Sequence, residues 1–183
     1  MNAKKRNIVL LSSLFVSLLL SFSIIMSTDQ KISTVEVQAG ELVDKITILE
    51  IKTERIHDEN KLKNIRLELG VLLKTFYEFN QTPKLLELKN ELKKRNEALW
   101  EIEDAIRDKE VEGRKNNYFE KLNNLEQLKG QELVDVRDFL KEFVSIARSV
   151  YYRNDERCQV KREINEHLGS RLLEEKSYKE YKA

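Results

Sequence analysis

The sequence predicts an all-α protein: an antiparallel bundle of long helices, preceded by an N-terminal apolar helix and a short extended segment. Three observations carry that expectation. Charged residues are 36% of the 183, with five glycines and one proline, a composition that suits long helices and not a turn-rich β fold. Apolar residues recur at steps of three and four over four long stretches. The chain breakers collect between those stretches, at 57–60, 80–84 and 113–130.

The first element is the stretch "KKRNIVLLSSLFVSLLLSFSIIM". Lys4, Lys5 and Arg6 precede an apolar run of nineteen residues, Ile8 to Met26. At the helical rise, a run of this length just crosses a hydrocarbon core. Residues 1–31 then read as a single-pass membrane anchor or an exported signal segment, with the basic flank cytoplasmic. Ser21 and Ser23 are small enough for a cleavage site. A second reading stays open. Met26 begins "MSTDQKISTVEVQAGELVDK", a plausible start of a cytoplasmic protein without the apolar segment. Under both readings 32–183 form a single helical domain.

The body follows in order. "ISTVEVQ", Ile32 to Gln38, alternates like a short extended segment. "GELVDKITILEIKTERI" places Leu42, Ile46, Leu49 and Ile56 at helical spacing, with Glu41 and Asp44 in the first turn, where the helix dipole favours acids. "HDEN" is a break, and Asp58 can cap the next helix, whose apolar side carries Leu62, Ile65, Leu69, Leu72, Leu73 and Phe76. In "NQTPK", Thr82 caps and Pro83 takes the first helical position, where no N–H is needed. The third helix spans about Pro83 to Glu110 and ends near Gly113. An Asn-rich connection holding one short amphipathic helix or turn leads to an uninterrupted helix over Gln131–Leu168, closed by a left-handed cap at Gly169.

The seam of that last helix decides the functional reading. At alternating steps of three and four it reads Leu133, Val136, Leu140, Phe143, Ala147 and Val150, then Asn154, Arg157 and Lys161, then Ile164 and Leu168. An amide and two cations occupy positions where core residues belong. Such groups need partners if they are buried. The third helix offers Asn96, Trp100, Glu103 and Arg107 beside an acidic stripe of Glu97, Glu101, Asp104 and Asp108. The first offers Asp44, Lys45, Lys52 and Arg55. The expected site is therefore a polar, partly cationic pocket between the first, third and last helices, built from Asp44, Lys45, Lys52, Arg55, Trp100, Glu103, Arg107, Asn154, Arg157 and Lys161. Converging cations and an amide suit a phosphate or an anionic sugar. The competing reading is a set of solvated faces with loose ion pairs, which contribute little. An interaction protein, pairing an exposed apolar stripe with a partner protein or in a homodimer, is a further alternative.

Other chemistry finds no motif. Outside residues 4–6 there are 30 basic against 32 acidic side chains, so nucleic acid is not an expected partner. A single cysteine, Cys158, excludes an intrachain disulfide, and His57 and His167 stand alone. No metal-ligand spacing, phosphate loop, dinucleotide fingerprint or catalytic triad appears, so no metal or cofactor is expected.

The blocks "GELVDKITILEIKTERI", "NEALWEIEDAIRDKE", "ARSVYYRNDERCQVKREIN" and "LGSRLLEEKSY", in this order from about Val35 to Tyr178, resemble a bacterial family without an assigned activity. The resemblance implies a non-catalytic or accessory role in cell-envelope polysaccharide metabolism. It points to Glu41, Asp44, Lys45, Glu50, Lys52, Glu54 and Arg55 in the first block. Later come Asn96, Trp100, Glu103, Asp104, Arg107, Arg148, Tyr151, Asn154, Asp155, Arg157, Lys161, Asn165, Glu175, Lys176, Ser177 and Tyr178. The family begins near the segment "VEVQAGEL" without an apolar leader, and Gln38-Ala39 stands where it commonly has a proline. The first block also resembles the opening helix of all-α chorismate mutases. That likeness implies Arg55, Arg157 and Lys161 holding a dicarboxylate and accelerating a pericyclic step by positioning and electrostatics.

Overall fold

A computed structural model describes residues 34–175 and 177, so the apolar run at 8–26 lies outside the described residues. Among the described residues the protein is all-helical, with no strand. Helix α1 spans Ala39–Arg55, α2 Glu59–Phe76, α3 Pro83–Lys115, α4 Tyr118–Leu122 and α5 Gly130–His167, with a 3-10 turn at Leu125–Gln127. Residues 34–38 enter no strand pairing, and Gln38 has extended backbone at the start of α1. None of these helices is long and apolar enough to cross a membrane.

The breaks act through the chemistry expected of them. Asp58 accepts hydrogen bonds from the backbone N–H groups of Asn60 and Lys61, and Thr82 Oγ1 accepts from Leu85 N at 3.1 Å with Pro83 in the first turn. Gly169 has φ +62 and ends α5. Gly113 behaves differently from expectation. The third helix runs two residues past it, and Gly113 is buried because the rings of Phe119 and Phe139 press against its backbone. It is a point of close approach, not a stop.

Helices α3 and α5 have 33 and 38 residues, about 50 and 57 Å at the helical rise. They form an antiparallel hairpin and share the longest packing seam. Thr82 meets His167, Arg95 pairs with Glu156 and Lys109 with Glu142, so partners climb one helix as they descend the other. Helix α1 lies against the base of this hairpin, between Lys89 and Glu101 on α3 and between Arg157 and Asn165 on α5. The main core is at that base. Leu42, Val43 and Ile46 of α1 meet Phe76 of α2, Leu85, Leu88 and Leu92 of α3, and Val160 and Ile164 of α5.

Beyond α1 the hairpin continues as a two-helix arm. Its tip is filled by Phe119, Phe139 and Phe143, edge-to-face and stacked, with the Tyr118 ring 4.9 Å from that of Phe139. Between tip and base no third long helix of the described residues covers the seam. Of the six apolar seam positions expected in α5, only Val136 is buried; Ala147 is exposed and the others half-buried.

Candidate functional site

The site starts from a close helix contact. Gly40, in the first turn of α1, lies so near α5 that a Cβ there would sit 2.5 Å from the Lys161 carbonyl oxygen. The first N–H groups of a helix have no partner within it. Here α5 and the turn after it supply one: Asn165 Oδ1 accepts from Gly40 N at 2.7 Å and Ser170 Oγ from Ala39 N at 3.4 Å. Asn165 Nδ2 then donates to Gln38 Oε1 at 3.0 Å.

One helical turn on, Asp44 is 3% exposed. Its carboxylate accepts from both nitrogens of one edge of Arg157, Nε at 2.8 Å and Nη2, and from Asn96 Nδ2 at 2.9 Å. Asn96 also donates to Thr47 Oγ1 at 2.9 Å, and Thr47 donates to the Asp44 carbonyl at 2.8 Å. Arg157 Nη1 reaches Asn154 Oδ1 at 3.1 Å. The fork geometry is the strong arrangement for a guanidinium and a carboxylate, and the Asp44 carboxylate holds the Arg157 guanidinium above its ordinary value. Arg157 thus occupies the seam because Asp44, itself held by Asn96, meets it there, and Asn154 accepts from the other edge of the same guanidinium.

Lys161 belongs to a neighbouring cluster. It is 4% exposed, and its ammonium donates to Glu41 Oε1 at 2.6 Å and Glu174 Oε2 at 3.3 Å. Glu174 arrives on the segment that follows α5, so the chain folds back over its own last helix. A cleft of ≈ 320 Å³ lies there, lined by Cys158, Lys161, Asn165 and Leu173 among others.

A larger cleft, ≈ 550 Å³, opens where α1 leaves the hairpin. Ile48, Asn96, Leu99, Trp100, Glu103, Asp104, Arg107 and Arg157 line it. It joins α1, α3 and α5 and rests on the Asp44–Asn96–Arg157 network. Trp100 is half-buried, and Arg55 stacks over its ring at 5.7 Å while pairing with Glu101. Arg107 pairs with Glu103 at 3.0 Å and Asp104 at 3.5 Å.

Of the ten expected site residues, Trp100, Glu103, Arg107 and Arg157 line this cleft, with Asp44 and Asn154 bonded to Arg157. Lys45 points elsewhere and pairs with Glu68 of α2. Lys52 is half-buried and makes no ion pair with the described residues. Arg55, Arg157 and Lys161, the three cations implied by the chorismate-mutase likeness, each hold their own acids, and Arg157 and Lys161 line different clefts. Sequence reasoning passed over Thr47, a small polar residue on the buried face of α1. Its spacing of three from Asp44 was the available signal. The ladder Glu50–Lys89 and Glu54–Lys93, which clamps α1 to α3 at 2.6 Å in both pairs, was also not foreseen.

Fold and site together define a helical protein with an ion-paired polar layer built into its core and an open cleft beside that layer. Comparison with known proteins adds no relative: no protein-family profile, curated protein or solved structure matches the chain.

Proposed function

We propose that this is a non-catalytic ligand-binding protein, accessory to cell-envelope polysaccharide metabolism, and that the cleft between α1, α3 and α5 takes a sugar ring. The supporting observation is the cleft's lining. Trp100 offers an apolar wall, and Asn96, Glu103, Asp104 and Arg107 surround it with planar hydrogen-bonding groups. An aromatic ring against C–H bonds, ringed by groups that bond hydroxyls, suits a polyhydroxylated ligand. The ≈ 550 Å³ volume is within the usual range for small-molecule sites. Both guanidiniums of the lining are already matched by carboxylates. A bare phosphate gains little there; an anionic sugar would be held through its ring. The accessory role rests on the family resemblance of the four sequence blocks.

Trp100 is the single tryptophan of the chain, so intrinsic emission reports on the cleft directly. The full chain is titrated with neutral sugars, sugar phosphates, nucleotide sugars, inorganic phosphate and small dicarboxylates, and its thermal unfolding is recorded beside the emission. A sugar-containing ligand is expected to change the emission and raise the midpoint. At 100-fold excess over Kd the stabilisation is about 2.7 kcal/mol. Arg107→Met should abolish both effects. Silence in both readouts with every sugar defeats the proposal, and a response to dicarboxylates alone would favour the chorismate-mutase-like enzyme.

A further inference from the structure

We propose that the sugar taken by the cleft between α1, α3 and α5 is a sugar acid, with a single carboxylate, and that Lys52 holds that carboxylate. This inference rests on the sugar-binding reading and names the class of sugar.

The position of Lys52 carries it. Ile48, Lys52 and Arg55 follow one another on α1 at steps of four and three, so they share one face of the helix. Ile48 lines the cleft, and Arg55 lies over the ring of Trp100, which lines it too. Lys52 is on the turn between these two, at the rim. The cations around it are already matched: Arg157 by Asp44, Arg55 by Glu101, Arg107 by Glu103 and Asp104. Lys52 is half-buried and pairs with no described residue; every other half-buried lysine or arginine among the described residues has an acid beside it. Taking water from an ammonium without giving it a partner is unfavourable. An anion delivered to Lys52 removes that cost and forms a charge-assisted hydrogen bond.

The remaining charges fix how negative the ligand is. Glu103 and Asp104 share Arg107, so that wall has one more acid than base. A carboxylate matches Lys52 one to one. A phosphate monoester brings about −1.5 to −2 at neutral pH; its extra charge finds no unmatched cation in the lining and faces two carboxylates. A carboxylate without a ring makes no use of Trp100. Ring and single negative charge together describe a uronic acid.

The test uses the full chain and matched probes, read by Trp100 emission and by the thermal midpoint: D-glucuronate against D-glucose, D-galacturonate against D-galactose, with D-glucose 6-phosphate and acetate. In at least one pair the acid should bind about tenfold more tightly than its neutral parent, and the margin should shrink as salt rises. Glucose 6-phosphate should bind more weakly than the preferred acid, and acetate should do nothing. Lys52→Met keeps the apolar stem and removes the charge, and its unligated midpoint verifies folding. In that variant the ratio of the two Kd values should fall to about one, and Lys52→Arg should restore the preference. Equal binding of acid and parent, a preference that survives Lys52→Met, or tighter binding of the phosphate would each overturn this inference and leave the sugar-binding reading standing. Silence with every sugar would overturn both.

Discussion

The base of the α3–α5 hairpin and its outer arm are built from the same two helices, yet they reach stability by different means. At the base, α1 lies on the hairpin and α2 packs on α1, and together they bury leucines, isoleucines and Phe76. Inside that apolar layer sit Asp44, Asn96 and Lys161, each with hydrogen-bonding partners. In the arm no further long helix of the described residues arrives. The seam stays half-exposed, and the packed part is the aromatic cluster at the tip. The difference teaches what buried charge can do in a bundle. Asp44 joins three helices at once: it is carried by α1, takes Asn96 from α3 and Arg157 from α5. Leucine could fill that volume, but it would accept other rotations and registers of α1. A forked carboxylate–guanidinium pair accepts one. The polar layer is therefore expected to act as a registration device as well as a source of stability, a use with precedent among buried polar groups.

The sharpest way to break the base is Arg157→Met. It removes the guanidinium and leaves the Asp44 carboxylate buried with only an amide partner. The expected loss is about 3–5 kcal/mol, read by urea unfolding. Adding Asp44→Leu should return most of that loss, because an apolar pair of similar volume is close to neutral. If the double variant is as unstable as the single, the pair contributes through something other than charge compensation. If it recovers stability but broadens the amide spectrum around α1, registration is the role that was lost.

The sequence made the base far more legible than the arm, for physical reasons that particular residues show. Asp58, Thr82, Pro83 and Gly169 act locally, within one turn of chain, so their roles can be read without knowing the fold. Asn154 and Arg157 stood out because they interrupt an apolar period, and a buried polar group demands a partner that can be sought elsewhere. Asp44 and Asn96 were found that way. Lys161 met the same test but answers to Glu41 of α1 and to Glu174 of the segment after α5. Periodicity gives the face of a helix and not which cluster a position joins. In the arm the period continues unbroken through Phe143, Ala147 and Val150, and nothing in it says whether a third helix covers those positions. Coverage is set by where α1 ends, a tertiary fact. Gly113 shows the same limit: a glycine near a helix end reads as a stop, while its actual role depends on two rings brought there by α4 and α5.

Three glycines allow a graded comparison of the two regions. Replacing a helical glycine by alanine in open space gains about 1 kcal/mol. Gly70 of α2 has nothing within 4 Å of an added Cβ, so Gly70→Ala should give that gain. At Gly40 the new Cβ meets the Lys161 backbone carbonyl at 2.5 Å. Backbone cannot turn aside, so α1 must lift from α5 and strain the Gly40–Asn165 hydrogen bond. Gly40→Ala should destabilise by about 1–3 kcal/mol. At Gly113 the obstacles are ring edges of Phe119 and Phe139, in a cluster with solvent on one side. The rings can shift, so the loss should be smaller than at Gly40 and confined to faster hydrogen exchange at the tip. Equal losses at both glycines would mean that the arm is as tightly packed as the base.

The smallest expected effect concerns the arm alone. Lys109 of α3 is held above its model-compound value of 10.5, first by its hydrogen bond to Glu142 across the hairpin and then by Glu112 on its own helix. A raised lysine pKa stabilises the folded state while the ammonium is charged in both states. That contribution is fully present below 10.5 and declines as pH rises through the raised value. Glu142 is well exposed, so the cross-link contributes at most about 1 kcal/mol. Glu142→Gln should lower the unfolding midpoint slightly at neutral pH, with the deficit vanishing on the alkaline side of the raised value. Lys93, raised in the same direction by Glu54 at the base, supplies the control. Glu54→Gln should show the same alkaline convergence while leaving hydrogen exchange in the arm unchanged, whereas Glu142→Gln should quicken exchange there and leave the base protected. If either variant moves both regions together, hairpin and base unfold as one cooperative unit, and the contrast between them is one of packing without a difference in local stability.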